Sequence, residues 1–172
     1  MSDKAKRIFL GLSIFVPFFI YCVYYYSQMI KNAPFRFTDF QSVELKYGTG
    51  DNLINQYNSA TGHYQYLDRE DSLIEKNLKL RKEDMLYIHR KAAELGFWNL
   101  PDEMLATPEG DIDSTSTYFF LKLNYKEKSK SVYVDVNYPG NAKMLGTAKS
   151  VIEEVQRVIN DAEDRKTPPK ED

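Results

Sequence analysis

Cysteine is nearly missing from this chain. Cys22 is the only one in 172 residues, which excludes an internal disulfide and any multi-thiolate zinc or iron–sulfur centre. Histidine is almost as scarce: there are two, His63 and His89, and neither has a second histidine one helical turn away. No charge sign dominates, with 23 Lys+Arg against 25 Asp+Glu, a net charge of −2 and a sequence pI near 5.8. Without a basic field the chain lacks the electrostatic footprint of a nucleic-acid binder, so no nucleic-acid partner is expected. A G-x-S-x-G nucleophile motif and internal repeats are also missing. Aromatic residues, by contrast, are abundant at 14%, with 13 Tyr and 10 Phe but a single Trp.

The first feature present in quantity is an uncharged run. No charged side chain occurs from Ile8 to Ile30, 23 residues that read IFLGLSIFVPFFIYCVYYYSQMI. About 20 helical residues cross a hydrocarbon core of ~30 Å, so the run predicts a transmembrane helix over 8–30 in contact with the lipid bilayer. Pro17 would kink it, and Tyr24, Tyr25 and Tyr26 would sit at the headgroup level. Lys4, Lys6 and Arg7 before the run, against Lys31 and Arg36 after it, place residues 1–7 in the cytoplasm and the remainder outside. A cleaved secretory signal is the competing reading, but the run is long and lacks a small-x-small site after its core. The expected location is therefore a cell membrane, single-pass, with the N-terminus cytoplasmic and the folded domain on the extracytoplasmic side.

Residues 31–37 read as a tether, 38–162 as one globular domain and 163–172 (EDRKTPPKED) as a solvated tail. Within the domain the hydrophobic period changes repeatedly. Alternation over 40–47, 53–57, 63–67 and 73–80 predicts four short strands, with turns at Gly48–Asp51, Ala60–Gly62 and Asp68–Asp71. Met85, Ile88, Ala92 and Leu95 follow helical spacing over 83–95, ended by Gly96. Residues 102–116 read as a loop. Phe119, Leu121, Leu123 and Tyr125, then Val132, Val134, Val136 and Tyr138, predict a hairpin joined through Lys126–Lys130. Asn141 is a cap for a final helix whose stripe is Ala148, Val151, Ile152, Val155, Val158, Ile159 and Ala162. The expected fold class is α+β: an antiparallel sheet of five or six strands with two helices on one face, in the order ββ(β)βαββα, after the transmembrane helix.

Candidate chemistry is sparse. Asp111 and Asp113 form an alternating acid pattern in EGDIDS that does not match the twelve-residue calcium loop; solvated loop acids are the favoured reading, weak Ca²⁺ binding is the alternative, and no metal site is expected. Gly48-Thr49-Gly50 lacks the lysine and following helix of a phosphate loop and reads as a hairpin turn. His89 is expected on the solvent side or flank of its helix, and His63 at a strand boundary. Tyr47, Tyr57, Tyr64, Tyr66, Tyr118 and Tyr133 are either an exposed contact face for a peptide or glycan or, the favoured reading, ordinary strand residues. No cofactor is implied.

Tyr47-Gly48-Thr49-Gly50, Tyr64-Gln65-Tyr66, Gly96-Phe97-Trp98-Asn99-Leu100-Pro101, Asp113 and Ser131-Val132-Tyr133 together resemble small uncharacterised bacterial envelope domains of the lipoprotein type. The resemblance covers about residues 38–160 and implies an α+β fold in the envelope, with no active residue to carry over. The functional expectation is a membrane-anchored extracytoplasmic binding or assembly module without catalysis, with an envelope protein or peptide as partner and the sheet face away from the helices as its contact surface. The alternatives are an envelope enzyme built from acids and tyrosines around the 102–116 loop, and a chaperone-like or inhibitor module.

Overall fold

The structure, a computed structural model, describes residues 3–32, 35–106 and 112–166, and within the first helix the side chains of 4, 9 and 11–25. The chain divides into two compact units, Met1–Arg36 and Phe37–Asp172.

The first unit is one helix, α1 (Asp3–Asn32), which contains Pro17. Ser13 Oγ donates back to the Phe9 carbonyl at 2.9 Å, and Tyr21 stacks on Tyr25 at 6.1 Å, both at i, i+4 spacing. Its apolar side chains are exposed, Phe15 at 67% and Phe19 at 69%. Among the described residues no helix is long and apolar enough to cross a membrane. This corrects the expected transmembrane helix over Ile8–Ile30 and the single-pass signal-anchor topology built on it. Among the described side chains of α1, Gly11, Ser13, Pro17 and the tyrosines Tyr21, Tyr24 and Tyr25 dilute the apolar character.

The second unit begins with a 3-10 turn at Phe37–Asp39. A meander follows: β1 (Phe40–Thr49), β2 (Asn52–Asn58), β3 (His63–Leu67) and β4 (Leu73–Asn77). After helix α2 (Lys82–Leu95) and a 3-10 turn at Phe97–Asn99 come β5 (Glu103–Met104), β6 (Thr117–Tyr125), β7 (Ser129–Asp135) and helix α3 (Ala142–Asp164). The strands form one seven-stranded sheet in the order β4-β3-β2-β1-β6-β7-β5. All neighbours are antiparallel except β5 and β7, which run parallel.

The α+β class and the two helices on one face stand, but the wholly antiparallel sheet of five or six strands is corrected to a mixed sheet of seven. The added strand has two residues, too few to leave a period-2 signal. It is fixed where the Leu100–Pro101 exit passes β7, with Tyr133 N donating to the Asp102 carbonyl at 2.8 Å. Two expected strand ends also shorten: β4 stops at Asn77 and β7 at Asp135. Helix α3, conversely, runs past Ala162 to Asp164, inside the expected tail.

Register explains which face is buried. Tyr64, Tyr57, Leu45, Leu121 and Val132 lie side by side across five strands, and all are buried. Against this face packs the α3 stripe, in which all seven residues expected from the 3.6-residue spacing are buried. Asn141 caps α3, its Oδ1 accepting from Lys143 N at 2.9 Å and Met144 N at 3.3 Å. Ile88 and Ala92 are the buried residues of α2, which ends at Gly96 in the left-handed region (φ 80°). The end of α3 is tied down by polar contacts: Glu163 to Lys76 and the Tyr66 hydroxyl, and Arg165 to Asp84 at 2.6 Å.

Two substitutions test this packing. Leu121→Ala, at the centre of the buried row, is expected to lower the unfolding free energy by about 2–5 kcal/mol in urea titrations. Gly48 sits where the β1–β2 register shifts, and a Cβ there would lie 1.9 Å from the Asn52 carbonyl oxygen. Gly48→Ala is therefore expected to destabilise by about 1–3 kcal/mol although it adds one methyl.

Candidate functional site: the open face of the sheet

Strand residues alternate between faces, so the rows adjacent to the buried one point away from α2 and α3. Glu75, Gln65, Gln56, Lys46, Phe120 and Tyr133 are consecutive cross-strand partners from β4 to β7. A second such row runs Asn77, His63, Asn58, Glu44, Lys122 and Ser131. Every one of these twelve side chains is partly or fully exposed. The face is rich in amides on the β2–β4 side and carries its aromatic rings on β6 and β7. Lys46 bridges the two regions, with its ammonium 2.8 Å from Glu44 Oε1 and 5.8 Å from the Phe120 ring centroid. The amides are held locally: Gln65 Nε2 donates to the Ile54 carbonyl at 2.8 Å and Gln56 Nε2 to that of Leu53 at 3.1 Å. Their positions are thereby fixed before any partner arrives.

At the end of this face, beside the 112–116 loop, lies a buried polar knot. Ser116 is 2% exposed and Asp135 fully buried, with the Ser116 hydroxyl donating to Asp135 Oδ1. The same oxygen accepts from Asn137 N at 2.8 Å, and Asn137 Nδ2 donates to Ser116 Oγ at 3.1 Å. Asp135 Oδ2 has no hydrogen-bond partner among the described residues. The Tyr118 hydroxyl lies close enough to feel the same carboxylate. Burial first, and then the charge of Asp135, raise its pKa, while the bond from Asp113 N at 2.9 Å works the other way. Gly50 N donates to the Ser116 carbonyl at 2.9 Å, so the knot also ties the β1–β2 turn to the loop.

Asp111 lies outside the described residues. Asp113 is exposed, and its Oδ1 accepts from Thr115 N at 2.8 Å and Thr115 Oγ1 at 2.7 Å. Those bonds hold its carboxyl below the usual range and commit that oxygen to a local turn. Among the described residues no group of three or more His, Cys, Asp or Glu could hold a metal.

His89 is not on the solvent side of its helix. It is half-buried, with Nδ1 2.9 Å from the Tyr125 hydroxyl, and the rings of Phe37, Phe40, Trp98 and Tyr125 lie 5.8–6.1 Å from its own. The spacing of α2 could not show this, because four of its neighbours come from the Phe37–Asp39 turn, β1, β6 and the turn after α2. His63 lies on the open face opposite Asn58 and Asn77. Of the six singled-out tyrosines, Tyr57 and Tyr64 are core residues and Tyr118 is buried. Tyr47 stacks on Phe119 at 5.6 Å, and Tyr66 packs on Tyr64 at 4.9 Å. Only Tyr133 belongs to the open-face rows, stacked on Tyr118 at 5.5 Å.

Compared with family models, with curated proteins and with solved structures, the chain finds no match.

The His89 environment makes a prediction about acid. Burial pushes the imidazole pKa below its ordinary 6.5. The unfolded chain then takes up a proton near 6.5 while the folded chain still resists it, so stability falls as pH drops through 6.5 and levels off below the folded pKa. Denaturant midpoints measured from pH 7.5 to 5 should decline in the parent protein, and part of that decline should vanish in His89→Gln.

Proposed function

We propose that this chain is a non-catalytic binding or assembly module whose contact surface is the open face of the sheet. The observation that carries the reading is that six strands present two full rows of accessible side chains that neither α2 nor α3 covers. Phe120 and Tyr133 supply the rigid aromatic area on which binding energy concentrates, and the fixed amides and the Lys46, Glu44 and Lys122 charges supply polar selectivity. A protein surface or an extended peptide fits a broad, shallow face of this kind. The second unit of the molecule serves recognition, while α1, with large apolar side chains left in water, serves attachment to a lipid surface in the cell envelope.

The enzyme alternative has one observation in its favour, the buried Ser116–Asp135 pair with a carboxylate oxygen that is unpartnered among the described residues. Burial of both groups argues against it, since a reacting serine needs a substrate within hydrogen-bond reach. The knot is better read as the clamp that shapes the end of the contact face.

Site-specific photo-crosslinking in the producing cell tests the proposal. Reactive side chains at Gln65 and Lys122 should yield one adduct of defined mass, and a reactive side chain at Glu153, exposed on α3, should not. Phe120→Asp should weaken the adduct about tenfold or more, as expected for loss of an aromatic anchor. Equal labelling from Glu153, or none from the open face, overturns the reading.

A further inference from the structure

A notch separate from the open face lies on the helix side of the sheet. One wall is the flank of α3 that carries Gln156 and Asn160, and the other is made by Tyr47, Tyr57 and Tyr64. Leu45, Gln56 and Ile159 complete the lining, and the volume is about 210 Å³. Small-molecule sites run to ~300–1,000 Å³, so the notch takes a single ring and not a chain of them. None of the lining residues is charged. Burial raises the pKa of Tyr47, and burial with the charge of Glu163 raises that of Tyr64, so both phenols stay neutral at ordinary pH. Glu163 is itself matched by Lys76.

The carboxamides set this place apart. Asn55, Gln56 and Gln65 on the neighbouring strands spend their amides within the fold, donating to the carbonyls of Tyr47 at 3.2 Å, Leu53 at 3.1 Å and Ile54 at 2.8 Å. Gln156 and Asn160 sit one turn apart on α3. Neither of their side chains, nor the Tyr47 hydroxyl, has a hydrogen-bond partner among the described residues. The notch thus joins ring faces and aliphatic carbon to three open groups, each able both to donate and to accept. An ion of either sign would leave water for a place with no counter-charge. A hydrocarbon would strip water from the three polar groups and return no hydrogen bond.

We infer that the notch binds one uncharged sugar ring of a glycan, its C–H face on the tyrosine rings and its hydroxyls at the Gln156 and Asn160 carboxamides. Such a ring answers both halves of the lining at once. The inference does not rest on the open face as a contact surface, since the notch is on the opposite side of the sheet.

The experiment follows the side-chain amide NMR signals of Gln156 and Asn160 in the isotope-labelled full chain, held in a polyoxyethylene detergent. The probes are the methyl glycosides of glucose, galactose, mannose and N-acetylglucosamine. At least one should shift both signals saturably, with half-saturation at about 1–10 mM for a ligand of this size. Gln156→Leu, Asn160→Leu and Tyr47→Phe should each raise that concentration about fivefold, the worth of one hydrogen bond, while the circular dichroism spectrum reports that the fold is retained. The methyl glycosides of glucuronic and galacturonic acid, which add a carboxylate to the same rings, should bind about tenfold more weakly than the best neutral probe. The absence of a saturable shift with every neutral probe overturns the inference. So do equal binding of neutral and acidic glycosides, or titrations unchanged in all three variants. Tighter binding of N-acetyl-asparaginamide than of any sugar overturns it as well, because the notch would then be a pocket for a peptide side chain.

Discussion

The fold depends on the burial of one helix stripe against one row of a sheet. Helix α3 presents seven apolar positions at helical spacing, and the sheet answers with Tyr64, Tyr57, Leu45, Leu121 and Val132. Neither surface is stable alone: an isolated helix of this length is marginal in water, and a sheet with a naked apolar face would associate with itself. Because strand side chains alternate, committing one row to α3 commits the next to the other side. The contact face is thus a geometric by-product of the core. The two-residue strand β5 extends the sheet on the far side of β7, and the polar knot at Asp135 closes the end of that strand.

The two faces differ in the physics they can support. On the helix side the tyrosines are buried, and burial raises the hydroxyl pKa of Tyr57, Tyr64 and Tyr125 far above the ordinary value. They act as large apolar plates with one polar corner, as when Tyr57 donates to the Leu78 carbonyl at 3.3 Å. On the open side the polar groups are accessible and locally braced, which reduces the ordering a partner must impose. His89 joins neither set. It fills the space between the opening turn, α2 and β6, and its role is to hold the beginning of the domain against the helix.

Much of the fold was legible in the sequence because local periodicity is a local property. The α3 stripe, the Asn141 cap, the Gly96 stop and the strand His63–Leu67 are each written in a few adjacent residues. What was not legible depends on residues far apart in the chain. The pairing of Leu45 with Leu121, which makes β1 and β6 central neighbours, leaves no trace in either segment, and neither does the parallel seat of β5. Without that register Phe120 and Tyr133 were two aromatics among many, and the run of six open-face partners could not be assembled. Asp135 was hidden for the opposite reason: an acid between Val134 and Val136, in a strand read through Tyr138, falls on the outward face until Ser116 and Asn137 are brought to it. The apolar run at the N-terminus was plain to see, yet hydropathy alone overstated what its described helix can span.

The strand order also governs how this protein comes into being. Since β1 is central, its second edge is completed only by β6, and β2, β3, β4, α2 and β5 all lie between them in the chain. A ribosome delivers β1 to β4 early, as a meander with an unpaired backbone edge along Phe40–Thr49, and the partner arrives only after the whole middle of the chain has emerged. Such long-range closure makes for slow folding and leaves the nascent half-sheet adhesive in the interval. The central placement of the oldest strand thus makes synthesis, more than the finished state, the period in which this chain most needs protection from its neighbours.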